Sequence, residues 1–254
     1  MTAVTIERLV SLADATLNPL AFKDYCPNGL QVQGKSKVEK VVCGVTASQA
    51  LIDRAIAAEA DVLLVHHGFF WRGEDPSLVG MKYRRIKALL EHDINLMAYH
   101  LPLDAHPQYG NNAQLARLLE IEITGGLEPD NPLSVGNVGR LLEPVAPEAF
   151  CQKVAAALGR EPLLVAGGNQ PIETIGWCTG AAQGYIESAA ALGVDAYLSG
   201  EISEPTVHSA RELGIHYIAA GHHATERYGV QALGQYLTTE LGLGYEFIDV
   251  DNPV

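Results

Sequence analysis

Basic residues are scarce in this chain. Seventeen Lys and Arg stand against thirty Asp and Glu in 254 residues, for a formal net charge of -13. A phosphate-binding groove needs clustered cations. The one dense basic run, KYRRIK (Lys82 to Lys87), falls in a helical pattern and reads as a solvated face. No nucleic-acid groove is expected, though a nucleotide-sized ligand stays open because a bound metal supplies local positive charge. Long apolar runs are missing too: none reaches the roughly 18 residues needed to span a membrane. The opening stretch MTAVTIERLVSLADATLNPL spaces Ile6, Leu9, Val10, Ala13 and Leu17 between charges. That is the pattern of an amphipathic helix, not a signal peptide, so no membrane partner and a cytoplasmic location are expected. Cysteine is sparse. Cys26, Cys43, Cys151 and Cys178 form no Cys-x-x-Cys pair, and Cys43 and Cys178 lie in apolar, strand-like runs. Buried free thiols in a reducing compartment are expected, with any metal held by nitrogen and oxygen.

What is present is an ordinary globular composition, 48% hydrophobic and 19% charged. Short β-branched runs alternate with helical patterns, which implies an α/β fold. Strands are expected at 40–45, 61–66, 94–99, 174–179, 194–199, 215–220 and 245–250. Helices are expected at 5–17, 48–59, 80–92, 111–119, 147–158, 184–192, 204–213 and 223–240. The Gly- and Pro-rich span from Thr124 to Gly139 is the expected boundary between halves, giving approximate lobes 1–125 and 137–254.

The halves repeat. GVTASQALIDRAIAAEADVLLVHHG (44–68) matches WCTGAAQGYIESAAALGVDAYLSGE (177–201) in order and character. Each has a strand ending in threonine (Thr46, Thr179), a helix, then an aspartate (Asp61, Asp195) leading an apolar strand. HDINLMAYHLPLD (92–104) lies opposite ELGIHYIAAGHHATE (212–226), and in both a histidine after the strand is followed four residues later by an acid. Duplication into two α/β lobes accounts for this more economically than coincidence.

DVLLVHHGFFW (61–71) carries an apolar strand into two adjacent histidines. Side chains alternate across a strand, so His66 and His67 diverge, and Gly68 lets the chain turn there. Open α/β sheets place ligands at this edge. A lone strand-end histidine more often donates to a backbone carbonyl. Here, however, His66, His67, His100, His222 and His223, five of nine histidines, gather at one type of position, the last three of them near Asp104 or Glu226. Metal binding is the expectation. Divergent neighbours suit two different ions, and a carboxylate can bridge a pair about 3.5–4 Å apart. His222 and Glu226 share one face at a helix start, so Glu226 is the expected bridge and Asp104 a terminal ligand. Imidazole with carboxylate suits Zn, Fe, Mn or Ni.

The stretches PNGLQVQG (27–34), GVTAS (44–48), VHHGFFW (65–71), HLPLDAHPQYGNN (100–112), CTGAAQ (178–183), DAYLSGEISE (195–204) and AAGHHATER (219–227) resemble the Nif-three-like family. Its bacterial members are called GTP cyclohydrolase 1 type 2 homologs. The resemblance covers nearly the whole chain and leaves no room after Leu127 for the inserted domain of longer relatives. It implies one domain over 1–254, built of two similar intertwined α/β lobes with a dinuclear metal site between them. It also implies a toroidal homohexamer with the metal sites facing an internal cavity. Carried over residue by residue, the ligands of two divalent cations per chain are His66, His67, Asp104, His222 and Glu226. His100 and His223 are not carried over as ligands and are expected to support them from behind. Glu201 takes the place of His67 in the second repeat, as a proton-transfer group or as a cap for the helix beginning near Ser203.

The family name implies GTP ring opening, a metal-activated hydrolysis at an electron-poor purine carbon. The chain has no Gly-x-x-x-x-Gly-Lys-Ser/Thr loop for a triphosphate and no cysteine paired to a zinc. The first expectation is a metal-dependent hydrolase acting on a nucleotide or related heterocycle, its catalytic base unidentified. The alternatives are a metal-binding or delivery protein without turnover, and a regulatory or scaffolding ring whose metals serve structure.

Overall fold

A computed structural model of the chain describes residues 4–254. In chain order it begins with β1 (Val4–Thr5), α1 (Ile6–Leu17), β2 (Gly29–Val32), β3 (Lys37–Val38) and β4 (Lys40–Thr46). Then come α2 (Gln49–Ala57), β5 (Val62–His67), α3 (Gly80–Glu91), β6 (Asn95–Ala98), α4 (Leu101–Ala105) and α5 (Asn111–Leu118). The middle holds β7 (Glu122–Gly126), β8 (Asn137–Val145), α6 (Pro147–Leu158), β9 (Leu163–Val165) and β10 (Ile172–Cys178). The chain closes with α7 (Ile186–Ala191), β11 (Ala196–Ser199), α8 (Glu204–Leu213), β12 (His216–Ala219), α9 (His222–Leu241) and β13 (Gly244–Phe247). The fold is mixed α/β. No helix among the described residues is long and apolar enough to cross a membrane.

The chain divides into two compact units, 1–103 with 229–251 and 104–228 with 252–254. The divisions fall inside α4 and α9. The Thr124–Gly139 span, read from composition as the boundary, lies within the second unit. It carries the β7–β8 hairpin, whose loop is closed by a bond from the Leu127 N–H to the Gly136 carbonyl. Its turn residues reverse a ribbon; they do not link domains.

The first unit is built on a five-stranded sheet in the order β13-β4-β5-β6-β2. The first four strands are parallel, and β2 runs antiparallel along the edge. Alternation sorts the strand side chains to two faces. Val41, Cys43, Val62 and Leu64 pack with α1 and the later turns of α9; Val42, Leu63 and Val65 pack with α2 and α3. Apolar on both faces, these strands read as near-continuous hydrophobic runs. The helices carry their own stop and start signals. Thr5 and Ser48 accept N-cap bonds from the N–H groups of Arg8 and Leu51, which is why α1 and α2 begin where they do.

The second unit has a six-stranded sheet in the order β7-β8-β10-β11-β12-β9. β10, β11 and β12 are parallel, with antiparallel strands on both sides. α5 and α6 cover one face, α7 and α8 the other. The expected helix 147–158 starts on Pro147 and stops at Gly159, which takes a left-handed conformation.

Each unit runs helix, antiparallel edge strand, then β-α-β-α-β. The correspondence reaches individual bonds. Asp61 Oδ2 accepts the N–H groups of Glu39 and Lys40, and Asp195 Oδ2 accepts those of Glu173 and Thr174. Buried Asn95 accepts the Gly34 N–H, and buried His216 accepts the Gly167 N–H. After the two helices of each half the chain turns through left-handed residues, Glu59 and Asp93 in one, Gly193 and Gly214 in the other. Asp61 also meets Lys35 at 2.5 Å. Burial works to raise its carboxyl, but Lys35 and the two backbone donors outweigh that and hold it below its usual range.

These aspartates tie each sheet's first parallel strand to its second. Asp61→Ala and Asp195→Ala each leave two backbone donors without their acceptor, and each is expected to cost roughly 1–3 kcal/mol in chemical denaturation. A loss below about 0.5 kcal/mol in both, the range of an ordinary surface substitution, would contradict this role.

Candidate metal centre

The expected ligands fall in both units, and each unit presents its own group. In the first, β5 ends at His66 and His67, with His66 fully buried and His67 half-buried. Gly68 is required by space: a side chain there would run into Gln31 and Ala98, and the Gln31 amide oxygen accepts the Phe69 N–H. The His66 Nδ1 lies 2.9 Å from the Tyr99 carbonyl. A carbonyl only accepts, so Nδ1 carries hydrogen and, in the neutral ring, the lone pair is on Nε2. The His67 Nδ1 lies 3.1 Å from Thr46 Oγ1, and Thr46 is the residue that the β4–β5 register sets opposite His67.

His100 follows β6. Its Nδ1 lies 2.7 Å from Asp24 Oδ1. Asp24 also accepts from the Asn28 amide and from the N–H groups of Tyr25 and Leu101. Burial alone would raise this carboxyl, but the bonds from His100 and Asn28 prevail and lower it to about 2. His66, His67 and His100 can each offer a ring nitrogen within 4.8 Å of the others, a group able to hold a metal ion. A neighbouring group of Asp24, Cys26 and His100 meets the same distance criterion. Burial and the Asp24 charge push the Cys26 thiol up to about 12, so sulfur there stays protonated near neutrality. The four cysteines are free.

In the second unit, α9 begins with His222 and carries buried Glu226 one turn later. His222 Nδ1 lies 2.7 Å from Glu201 Oε1, and its Nε2 lies 3.0 Å from Glu226 Oε2. Burial disfavours charge on this ring, but Glu226 and Glu201 outweigh it and raise His222 to about 9. Gly180, at φ +70°, passes so close that a Cβ would collide with the Glu226 carboxylate. Glu201 does not cap the following helix: Ser203 and Thr206 do so reciprocally. His223 donates its backbone N–H to the Val254 carbonyl and belongs to none of the metal-capable groups found among the described residues.

Asp104, also buried, receives the Asn111 amide at 2.8 Å and the Thr179 hydroxyl at 3.3 Å, both on Oδ1. Asn112 bonds to the Asp104 carbonyl and accepts the Thr179 N–H. The two repeat threonines therefore have matching roles, Thr46 on His67 and Thr179 on Asp104. In the sequence both threonines stand out without a role, and Asp24, Asn111 and Asn112 draw no assignment. A signal did exist in NN at a helix start, since paired amides there are placed for side-chain bonds.

The donor set fits divalent cations. Imidazoles with Nδ1 engaged and carboxylates braced by hydrogen bonds are what such ions need.

Comparison with known proteins finds relatives along nearly the whole chain. The Duf34/NIF3 (NGG1p interacting factor 3) family profile matches residues 4–253. A Pseudomonas aeruginosa protein named GTP cyclohydrolase 1 type 2 homolog is 61% identical over 251 residues, covering 99% of each chain. The solved structure of protein ybgI, titled as of unknown function, is similar at TM-score 0.95 and 50% identity, over 99% of this chain and 100% of that one. A solved structure of a Thermus thermophilus protein is similar at TM-score 0.90 and 34% identity, over 99% of this chain and 100% of that one.

The raised His222 gives a testable sign. Its folded value of about 9 lies above the ordinary 6.5, so the stabilisation it contributes is complete below about 6.5 and is lost as pH rises through about 9. Metal-free protein is expected to lose thermal stability across that window, and His222→Asn to flatten the loss. A metal on Nε2 must displace the proton, so calorimetry in buffers of different ionisation enthalpy should show proton release at pH 7.5. No release, with a pH-independent melting temperature, would contradict the assignment.

Proposed function

Because the chain belongs to the Duf34/NIF3 family, we propose that its two ligand groups act together as one dinuclear divalent-cation site. His66, His67, Asp104, His222 and Glu226 hold two ions per chain, with Glu226 shared between them. We propose further that the units arose by duplication, which their common strand order and paired Asp61/Asp195 bonds support.

The reading of the activity is a metal-dependent hydrolase acting on a nucleotide or related heterocycle. The observation that carries it is the bracing of His66 and His222 through Nδ1 on groups that only accept. A bound divalent cation supplies Lewis acidity, which makes water a usable nucleophile near neutral pH. The chain's own residues orient the donors. Glu201 holds the Nδ1 proton of His222, Thr179 and Asn111 fix the Asp104 carboxylate, and Gly180 leaves room for Glu226.

A metal-holding or delivery protein without turnover is the second reading. The pairing of the basic run favours it: Lys82 reaches Glu74 at 3.2 Å and Lys87 reaches Glu91 at 3.3 Å, so two cations that a triphosphate would need are already engaged. Resemblance adds a closed homohexamer, for which light scattering should give six times the mass of the chain and a stable monomer would be contrary.

The test is elemental analysis and a metabolite turnover screen of reconstituted protein beside Glu226→Gln and Asp104→Asn. Two divalent ions held about 4 Å apart repel strongly, and a shared carboxylate offsets that repulsion more than a terminal one. Wild type should retain two ions. Glu226→Gln should keep at most one tightly and lose any hydrolysis, while Asp104→Asn chiefly weakens one site. If Asp104→Asn loses both ions and Glu226→Gln keeps two, the bridge is Asp104.

A further inference from the structure

We infer that Trp71 is a stacking platform for the ligand's ring, offering its indole to a planar, electron-poor nitrogen heterocycle such as a purine. This rests on the hydrolase reading above and names the part of the chain that recognises the heterocycle. The two tryptophans of the chain are used differently. Trp177 is fully buried in an apolar cluster of the second unit, with its indole N–H on the Asn112 carbonyl. Trp71 is only partly buried and belongs to neither apolar cluster of the first unit. Its ring neighbours among the described residues are His67 and His100. The His67 centroid lies 5.9 Å away at an interplanar angle of 51°, and the His100 centroid 5.0 Å away at 85°. Both rings are steeply inclined, so neither lies flat on the indole. A large aromatic ring held on a loop, outside the core and beside a candidate ligand, is placed to receive another ring.

The loop that carries Trp71 is built to hold it there. Phe69 is buried in the core of the first unit. Phe70 then takes φ +67°, a left-handed conformation that bulky residues rarely adopt. Such outliers persist where the surrounding structure fixes them, and they collect at binding sites. The turn that follows closes on itself. The Glu74 N–H donates to the Trp71 carbonyl at 3.0 Å, and the Trp71 N–H donates to Glu74 Oε2 at 3.2 Å. Lys82 pairs with Glu74 and lies 5.2 Å from the Phe70 ring centroid, tying the turn to α3. On the other side Arg72 donates its N–H to the Tyr25 carbonyl at 2.7 Å and its guanidinium to the Asp24 carbonyl. Asp24 also holds His100, so the Trp71 loop and the imidazole beside it share one support. A platform fixed before its ligand arrives loses little conformational freedom on binding. An indole face selects for a planar ring without choosing one base, because every base has a π-face.

The experiment uses the full-length, zinc-reconstituted protein. GMP, AMP and CMP are the probes that carry a ring, and ribose 5-phosphate is the probe that lacks one. Affinity is read by calorimetry and stacking by tryptophan fluorescence, in which fully buried Trp177 stays unresponsive. At least one nucleotide should bind and quench the emission, while ribose 5-phosphate should bind about tenfold more weakly or worse, without quenching. Trp71→Ala should weaken nucleotide binding about 5–150-fold, the loss that removal of one base-stacking side chain brings. It should leave zinc content and ribose 5-phosphate affinity unchanged, and Trp71→Phe should restore most of the nucleotide affinity. Circular dichroism checks each fold, and Trp71→Leu gives the same comparison if the alanine variant does not fold. Nucleotide affinity unchanged in Trp71→Ala, with any turnover intact, would overturn the platform and leave the hydrolase reading standing. Loss of zinc from Trp71→Ala and Trp71→Phe alike would mark a structural role and overturn it as well. A zinc-loaded wild type that binds none of the three nucleotides would overturn both.

Discussion

The candidate metal centre depends on one hydrogen bond per imidazole, made through Nδ1. A free histidine places its proton on either nitrogen and its ring in many orientations. A ring whose Nδ1 faces a group that only accepts has one tautomer and one direction for Nε2. The partners come from the fold itself. Tyr99 and Thr46 stand at the ends of the strands flanking β5, and the parallel register sets Thr46 opposite His67. Asp61, whose carboxylate accepts the Glu39 and Lys40 N–H groups, pins the start of β5 against the start of β4 in that register. Strand register and ligand geometry are thus one constraint.

In the second unit the same logic takes an electrostatic form. Glu226 is 3% exposed, and a buried carboxylate is costly unless it is paired. In the metal-free chain the pairing comes from His222, protonated between Glu201 and Glu226. The proton on Nε2 occupies the position of charge that a cation takes when bound. Burial, with the nearby charges of Asp104 and Glu226, also pushes the Cys178 thiol well up, so the sulfur beside these acids stays neutral.

Much of this is legible in the sequence. The seven parallel strands are legible as short apolar runs, and α2, α6 and α8 carry caps or stops in plain view. The antiparallel strands β2, β8 and β9 are not. Leu30, Arg140, Leu142 and Leu163 face solvent there, so no hydrophobic run announces them. The Thr124–Gly139 span misled for a related reason: turn residues mark a reversal of the chain without telling a hairpin from a domain boundary. Positions of the candidate ligands were visible as histidines and acids at strand and helix ends. Their supports were not, because Asp24 reaches His100 across 76 positions and Thr179 reaches Asp104 across 75, separations that only the folded chain closes.

The central claim is that this chain takes metal through the Nε2 atoms of histidines whose Nδ1 atoms are already engaged. Long-range 15N–1H correlation spectra of histidine-labelled protein test it most directly, before and after titration with Zn(II). Metal-free protein should show His66 as the Nδ1–H tautomer, and zinc should move the Nε2 resonances of His66 and His222 while each Nδ1 keeps its hydrogen. Zinc-induced loss of the Nδ1 proton from these rings, with Nε2 unmoved, would contradict the account.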